Sequence, residues 1–253
     1  MNPIVELKHV GKVYVSARDG EAIEALANID ITIRRGEFLT VVGPSGCGKS
    51  TLLSLIAGFN APTSGDVLFQ GHPITAPGPE RGVMFQDYAL FPWRTVAGNI
   101  EFGPQARGVD AAHTRERVRK LIEMVGLRGF EHRYPHELSG GMRKRASLIR
   151  TLAYDPPVIL MDEPFGALDA QTRTQLQDDL LRLWELGKKT IVFVTHDIGE
   201  AIALGDRTLV LSRAPAKIVG EHIITIPRPR DIRGIMMHPE FAGFYQRIRA
   251  QVQ

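Results

Sequence analysis

The sequence predicts an α/β fold: a mostly parallel sheet with helices on both faces, an antiparallel β portion near the N-terminus and a helical insertion in the middle. Three observations carry that expectation. Continuously apolar, β-rich runs recur at 38–43, 82–86, 158–162, 190–196 and 208–212, as strands buried on both faces would. Helical patterns alternate with them, the arrangement that builds parallel sheets. A long stretch, 87–155, carries helical periodicity but no convincing strand.

The elements follow in order. "IVELKHV" at 4–10 and "IDITIR" at 29–34 alternate in polarity and suit half-buried antiparallel strands. "FLTVVG" at 38–43 is a buried strand that ends in a glycine loop. In the next segment, "KSTLLSLIAG" at 49–58, Leu52, Leu53, Leu55 and Ile56 give an apolar helix face that Gly58 terminates. Further helices are expected at 114–125 (through Val118, Leu121, Ile122 and Val125), 140–153 and 170–186. After 216, "IVGEHIITIPRPRD" reads as a strand and "PEFAGFYQRIRAQ" as a packing helix. The expected division is a core of 1–86 and 156–215, a helical subdomain of 87–155, and a tail of 216–253.

Composition limits the function. The 253 residues are 43% apolar and 23% charged, an ordinary globular balance that allows one large domain with an insertion. The 31 Lys+Arg against 28 Asp+Glu leave a net charge of +3, too small an excess to indicate nucleic acid as partner. The single cysteine, Cys47, excludes an internal disulfide and a multi-cysteine metal site. "MNPIVELKHV" lacks the features of a signal peptide, and no apolar run approaches the roughly 18–20 residues of a membrane span. A soluble chain is expected, meeting a membrane only through a partner or a surface patch.

Residues 43–51, "GPSGCGKST", match G-x-x-x-x-G-K-[ST] between a buried strand and a helix, the context that supports a phosphate-binding loop. Gly43, Gly46 and Gly48 allow successive N–H groups to converge on a phosphate, with Pro44, Ser45 and Cys47 as the intervening loop positions. Lys49 can reach the β- and γ-phosphates, the Ser50 hydroxyl can ligate Mg²⁺, and Thr51 continues the helix whose dipole faces the anion. The alternative is a ligand-free glycine turn. A dinucleotide site would need G-x-G-x-x-G, whereas the spacing here is G-x-x-G-x-G. A kinase would need D-F-G, and a GTPase an N-K-x-D segment; neither is present.

"VILMDEP" at 158–164 places Asp162 at the C-terminal end of a buried strand, where open α/β sheets hold ligand groups. Asp162 is the expected second Mg²⁺ ligand, and Glu163 is placed to orient or deprotonate water. His196 ends the apolar strand "TIVFVTH" and is expected at the γ-phosphate. In "LSGGM" at 138–142, Ser139 is a good N-cap, so the helix that follows offers a second anion-binding terminus. One phosphate does not need both termini. The second is expected to serve the nucleotide of another copy of the chain.

With these motifs in order, the sequence resembles the ATP-binding subunits of ABC transporters over essentially its whole length. The matches are Tyr14, "GPSGCGKST", Gln86, "LSGGM", "VILMDEP", "GALD" at 166–169 and His196. The resemblance implies a P-loop NTPase (RecA-like) core and a head-to-tail homodimer enclosing two MgATP. In that dimer each nucleotide lies between one copy's phosphate loop and the other's Ser139, Gly140 and Gly141. It casts Tyr14 as the adenine-stacking aromatic, Glu163 as the base, and His196 as the γ-phosphate sensor. Gln86 becomes a ligand of Mg²⁺ and water, and Asp169 a contact across the dimer. Two positions depart from the family pattern: Met142 stands where the family has Gln, and Gly166 where it usually has Ser.

"LFPW" at 90–93 and the tail "RAPAKIVGEHIITIPRPRD" look like the nitrate/sulfonate/taurine-type bacterial importers. That implies integral membrane permease subunits, an extracytoplasmic solute-binding protein upstream of them, and a peripheral position on the cytoplasmic side of the inner membrane. A soluble ABC-type ATPase of an assembly machine, such as one for iron–sulfur clusters, is the alternative. Leu90, Phe91 and Trp93 are open to two readings: packing inside the helical subdomain, or a groove that accepts a permease helix.

Overall fold

Residues 38–42 show how this sequence builds two cores from one strand. In β3 (Phe38–Val42) every position is buried. Leu39 and Val41 face one apolar cluster, while Phe38 and Val42 face another on the opposite side of the sheet. The structure, a computed structural model, describes residues 3–16, 20–85, 89–166 and 168–252.

Before β3 come β1 (Pro3–Val15) and β2 (Ala22–Arg34); after it come α1 (Lys49–Ala57), β4 (Ser64–Phe69), β5 (His72–Pro73) and β6 (Arg81–Met84). Helices α2 (Val96–Ala106), α3 (Ala111–Met124) and α4 (Gly140–Ala153) fill the middle of the chain. The second half runs β7 (Val158–Asp162), α5 (Ala170–Gly187), β8 (Thr190–Thr195), α6 (Ile198–Leu204), β9 (Arg207–Leu211), β10 (Ile218–Ile223) and α7 (Phe241–Gln251). A six-stranded sheet has the order β10-β9-β3-β8-β7-β6. Its strands are parallel except β10, which pairs antiparallel with β9. A second, antiparallel sheet has the order β2-β1-β4-β5.

The first core lies between the two sheets and around α1, through Ile4, Leu7, Ile29, Ile31, Leu52 and Ile56. The second joins Phe193, Leu180 and Trp184 to the tail residues Ile224, Ile226, Phe244 and Ile248. The C-terminal segment is therefore part of the main packing. A third cluster holds α2, α3 and α4 together through Ile100, Val118, Ile122, Ala146 and Ile149.

Several elements differ from expectation. β4 and β5 carry no apolar alternation strong enough to announce them; β4 opens with three exposed residues and takes its form from pairing with β1. α2 contains Gly98, Gly103 and Pro104, which dilute its helical signal. α6 has only seven residues. β6 ends at Met84, two residues short of the expected strand, and Phe85 beyond it is exposed.

One buried ionic clasp ties the sheets together. Arg207 of β9, 8% exposed, donates to Glu37 at 2.6 Å, to Glu221 of β10 at 2.9 Å and to the Thr32 carbonyl of β2 at 2.6 Å. Removing one member leaves a buried charge without its partner, which costs about 3–5 kcal/mol. Arg207→Met should lose that much in a denaturant titration. Adding Glu37→Gln to the same chain should recover part of it.

Candidate nucleotide site

β3, β8 and β7 are neighbours and parallel, so their C-terminal ends share one rim of the sheet. The loop after β3 leads into α1 through Gly48, whose φ is 113°. A Cβ there would stand 2.9 Å from the Ala25 carbonyl oxygen and 3.0 Å from the Leu26 side chain, so glycine is required on two counts. No side chain caps α1, and helix geometry leaves its first N–H groups directed at the loop.

Lys49 is 5% exposed, and its ammonium donates to the carbonyls of Gly43 and Pro44, each at 2.9 Å. It also lies 4.0 Å from Glu163 Oε1. Its charge is held at the loop mouth by partners that an anion can replace. Cys47 is buried, and that burial pushes its thiol above the ordinary range although Lys49 opposes the shift. Burial outweighs Lys49, and the thiol stays a neutral packing group.

Across the rim, burial pushes the Asp162 carboxyl up; the Ser50 hydrogen bond opposes this, Glu163 adds to it, and Lys49 lowers it. The Ser50 hydroxyl of α1 and the Asp162 carboxyl of β7 thus lie on the same side of the rim. Glu163 follows with φ 42°, a left-handed conformation that a non-glycine residue holds only at a cost of about 1–3 kcal/mol. Its N–H donates to Val194 O at 3.0 Å, fixing it against β8. Its Oε2 is 3.0 Å from His196 Nδ1. Lys49, Ser50, Asp162, Glu163 and His196 therefore form one contact chain on the rim.

The remaining expected residues lie in other surroundings. Tyr14, 38% exposed, sits near the end of β1 with the Lys12 ammonium 5.0 Å from its ring centre. The i, i+2 alternation of a strand could have signalled that pairing. Ser139 caps α4, its hydroxyl accepting the Met142 N–H at 3.3 Å. Asp169 caps α5, accepting the Thr172 N–H at 2.9 Å, a bond that holds its carboxyl below the usual range. Thr172 in turn abuts the signature: a Cβ on Gly141 would stand 2.8 Å from its methyl group. Asp169, Thr172 and Gly141 are thus consecutive in space, a contact between distant segments that no local pattern announces. Among the described residues, no hydrogen bond or ion pair joins Ser139, Gly140 or Gly141 to the loop at 43–51. Gln86 lies outside the described residues.

The apolar run at 90–93 divides. Leu90 packs against the α2–α4 cluster. Phe91 sits edge-on to Phe102 at 4.8 Å, beneath the Arg150 guanidinium. The buried Asn99 accepts the Phe91 N–H at 2.7 Å and donates to the Phe91, Arg94 and Thr95 carbonyls. Trp93, by contrast, is 72% exposed.

Comparison with known proteins agrees with this geometry. The family model described as "ABC transporter" matches residues 26–166. An uncharacterized ABC transporter ATP-binding protein of Methanocaldococcus jannaschii is 48% identical over 244 residues, 96% of this chain and 90% of that one. A taurine import ATP-binding protein of Roseobacter denitrificans is 45% identical, covering 88% of this chain and 84% of its own. A nitrate import ATP-binding protein of Synechococcus elongatus is 42% identical, covering 92% and 85%. Among solved structures, a dimeric bacterial ABC transporter cassette superposes with a TM-score of 0.77 at 32% identity, over 88% of this chain and 100% of its own. The same cassette is known in a post-hydrolysis dimeric state bound to ADP and Pi, at the same TM-score of 0.77. The phosphate loop, the acidic strand end beside it and the capped signature helix are those of a nucleotide hydrolase, and the chain belongs to the ABC transporter family as one of its ATPases.

Proposed function

We propose that the chain is the ATP-hydrolysing subunit of an importer. Two copies would close head-to-tail around two MgATP and drive uptake of a small anionic or polar solute, of the nitrate, sulfonate or taurine kind, through a membrane permease. The observation that carries this reading is the contact chain from Lys49 to His196 on one sheet rim. The relatives named for taurine and nitrate import support the solute class. No helix among the described residues is long and apolar enough to cross a membrane, so contact with the permease falls to the surface. We place the chain at the cytoplasmic face of a bacterial inner membrane, with the solute-binding protein acting from the far side.

Each residue has a task in this reading. Lys49 exchanges its two carbonyl partners for phosphate oxygens. Ser50 and Asp162 would hold Mg²⁺: both offer hard oxygen donors, and no cluster of three or more metal-binding side chains exists among the described residues. That suits an ion bound by one or two protein groups, the phosphates and water. When bound, it neutralises charge on the transferring phosphoryl group. Glu163 takes a proton from the attacking water. His196, engaged through Nδ1, keeps Nε2 for the γ-phosphate. Gln86 is assigned to water and Mg²⁺, and Tyr14 to the adenine. Because α1 already supplies a helix terminus to its own nucleotide, Ser139, Gly140 and Gly141 serve the partner's, with Asp169 beside them.

Glu163→Gln should keep ATP affinity and slow hydrolysis by roughly 10²–10⁴, the size of a lost general base; it should also trap a dimer, visible by gel filtration with ATP. Unchanged turnover would remove Glu163 from that role. Ser139→Arg should abolish hydrolysis while the isolated chain still binds ATP; a parallel loss of monomer binding would place Ser139 on its own nucleotide. Trp93→Ser, which spares the packed Leu90 and Phe91, should reduce recovery of permease subunits with the chain from solubilised membranes. Recovery of the wild-type chain only in a soluble complex would sink the transport reading.

A further inference from the structure

We propose that Glu200 is a positioning residue for His196: it locks the turn that carries the histidine against α5. The proposal rests on the role given to His196 above. His196 stands between two residues tied to each other, since the Thr195 hydroxyl accepts the Asp197 N–H at 3.0 Å. The same hydroxyl donates to Glu200 Oε2 at 2.6 Å. Asp197 Oδ1 accepts the Glu200 N–H at 3.1 Å and so caps α6. The other carboxyl oxygen of Glu200 accepts from Gln177 Nε2 on α5 at 3.0 Å. Arg173, also on α5, reaches Asp197 Oδ2 at 3.9 Å and donates to the Leu168 carbonyl at 3.1 Å. The backbone N–H that follows His196 is thus fastened to the Thr195 hydroxyl, that hydroxyl to the Glu200 carboxyl, and the carboxyl to a helix.

Thr195, Gln177 and Glu200 are 1%, 6% and 8% exposed, so the connection is made inside the protein and away from water. Burial raises the Glu200 carboxyl above its usual range, and the nearby Asp197 adds to this, while Thr195, Gln177 and Arg173 oppose it. Burying a carboxyl costs stability that an apolar side chain of similar volume would not. Its return is geometric. Two oxygens at a fixed separation hold Thr195 and Gln177 at once, which no apolar group does. Among the described residues the His196 ring is hydrogen-bonded only to Glu163, at 3.0 Å, so the turn behind it helps to decide where the imidazole stands. A catalytic group displaced by about an ångström loses on the order of 10²-fold in rate.

The test compares ATP hydrolysis and ATP affinity of the full chain for the wild type, Glu200→Ala, Glu200→Gln, Gln177→Met and His196→Ala, with ¹⁵N spectra of the histidine rings. Glu200→Ala should lower kcat by about tenfold or more, leave ATP Kd within about twofold, and shift the His196 ring signals. Glu200→Gln can still donate to Thr195 and accept from Gln177, so it should stay within about threefold of wild type with the His196 signals in place. If Glu200→Ala does not fold, Gln177→Met, remote from the nucleotide, carries the test and should lower kcat by about threefold or more with Kd unchanged. Wild-type kcat in Glu200→Ala, or in Gln177→Met where that variant stands in for it, overturns the proposal. So does a fall in Glu200→Gln as deep as in Glu200→Ala with unmoved His196 signals. Wild-type hydrolysis in His196→Ala would instead remove the role of His196 itself, a separate result.

Discussion

The rim to which we assign catalysis depends on three parallel strands, β3, β8 and β7, ending side by side. Their hydrogen-bond register is what brings a lysine from one βα turn to Glu163 of another, and Glu163 to a histidine from a third. The cross-strand bond from the Glu163 N–H to Val194 O shows the register extending past the end of β7. It holds Glu163 in a backbone conformation the residue would not choose alone. Two apolar cores grip the sheet from opposite faces, and the tail adds to one of them. The rigidity that catalysis needs is thus supplied by burial some distance below the rim.

The chain divides its chemistry between two surfaces. The rim collects the groups we assign to the nucleotide bound in cis. The capped terminus of α4, resting on the first turn of α5, collects those we assign to the nucleotide bound in trans. Thr172 joins the second set to Asp169. α5 also holds Gln177 and Arg173 against the His196 turn. One helix therefore touches both sets.

Legibility in the sequence followed the range of each interaction. The phosphate loop, "VILMDEP" and "LSGGM" are local in sequence and lie on strongly patterned elements, and the expected α/β architecture follows from them. β4 is not legible in the sequence because pairing with β1 makes it a strand, not its own pattern. The left-handed backbone of Glu163 and the seat of Gly141 on Thr172 involve partners far away in the chain, so no window of residues displays them. Glu200 and Gln177 read as ordinary polar residues of helices until the fold buries them together. Leu90, Phe91 and Trp93 are open to two readings in sequence; in the fold Asn99 and Phe102 draw Phe91 inward and leave Trp93 exposed.

The central claim is that each nucleotide is completed by two copies of the chain. Mixing a Lys49→Ala chain with a Ser139→Arg chain tests it directly. Each variant alone has no complete site, but a mixed dimer pairs the intact loop of one with the intact signature of the other. The account predicts that hydrolysis returns on mixing, to about a quarter of the wild-type level for random two-fold pairing. Activity no greater than the sum of the two variants measured separately would contradict it.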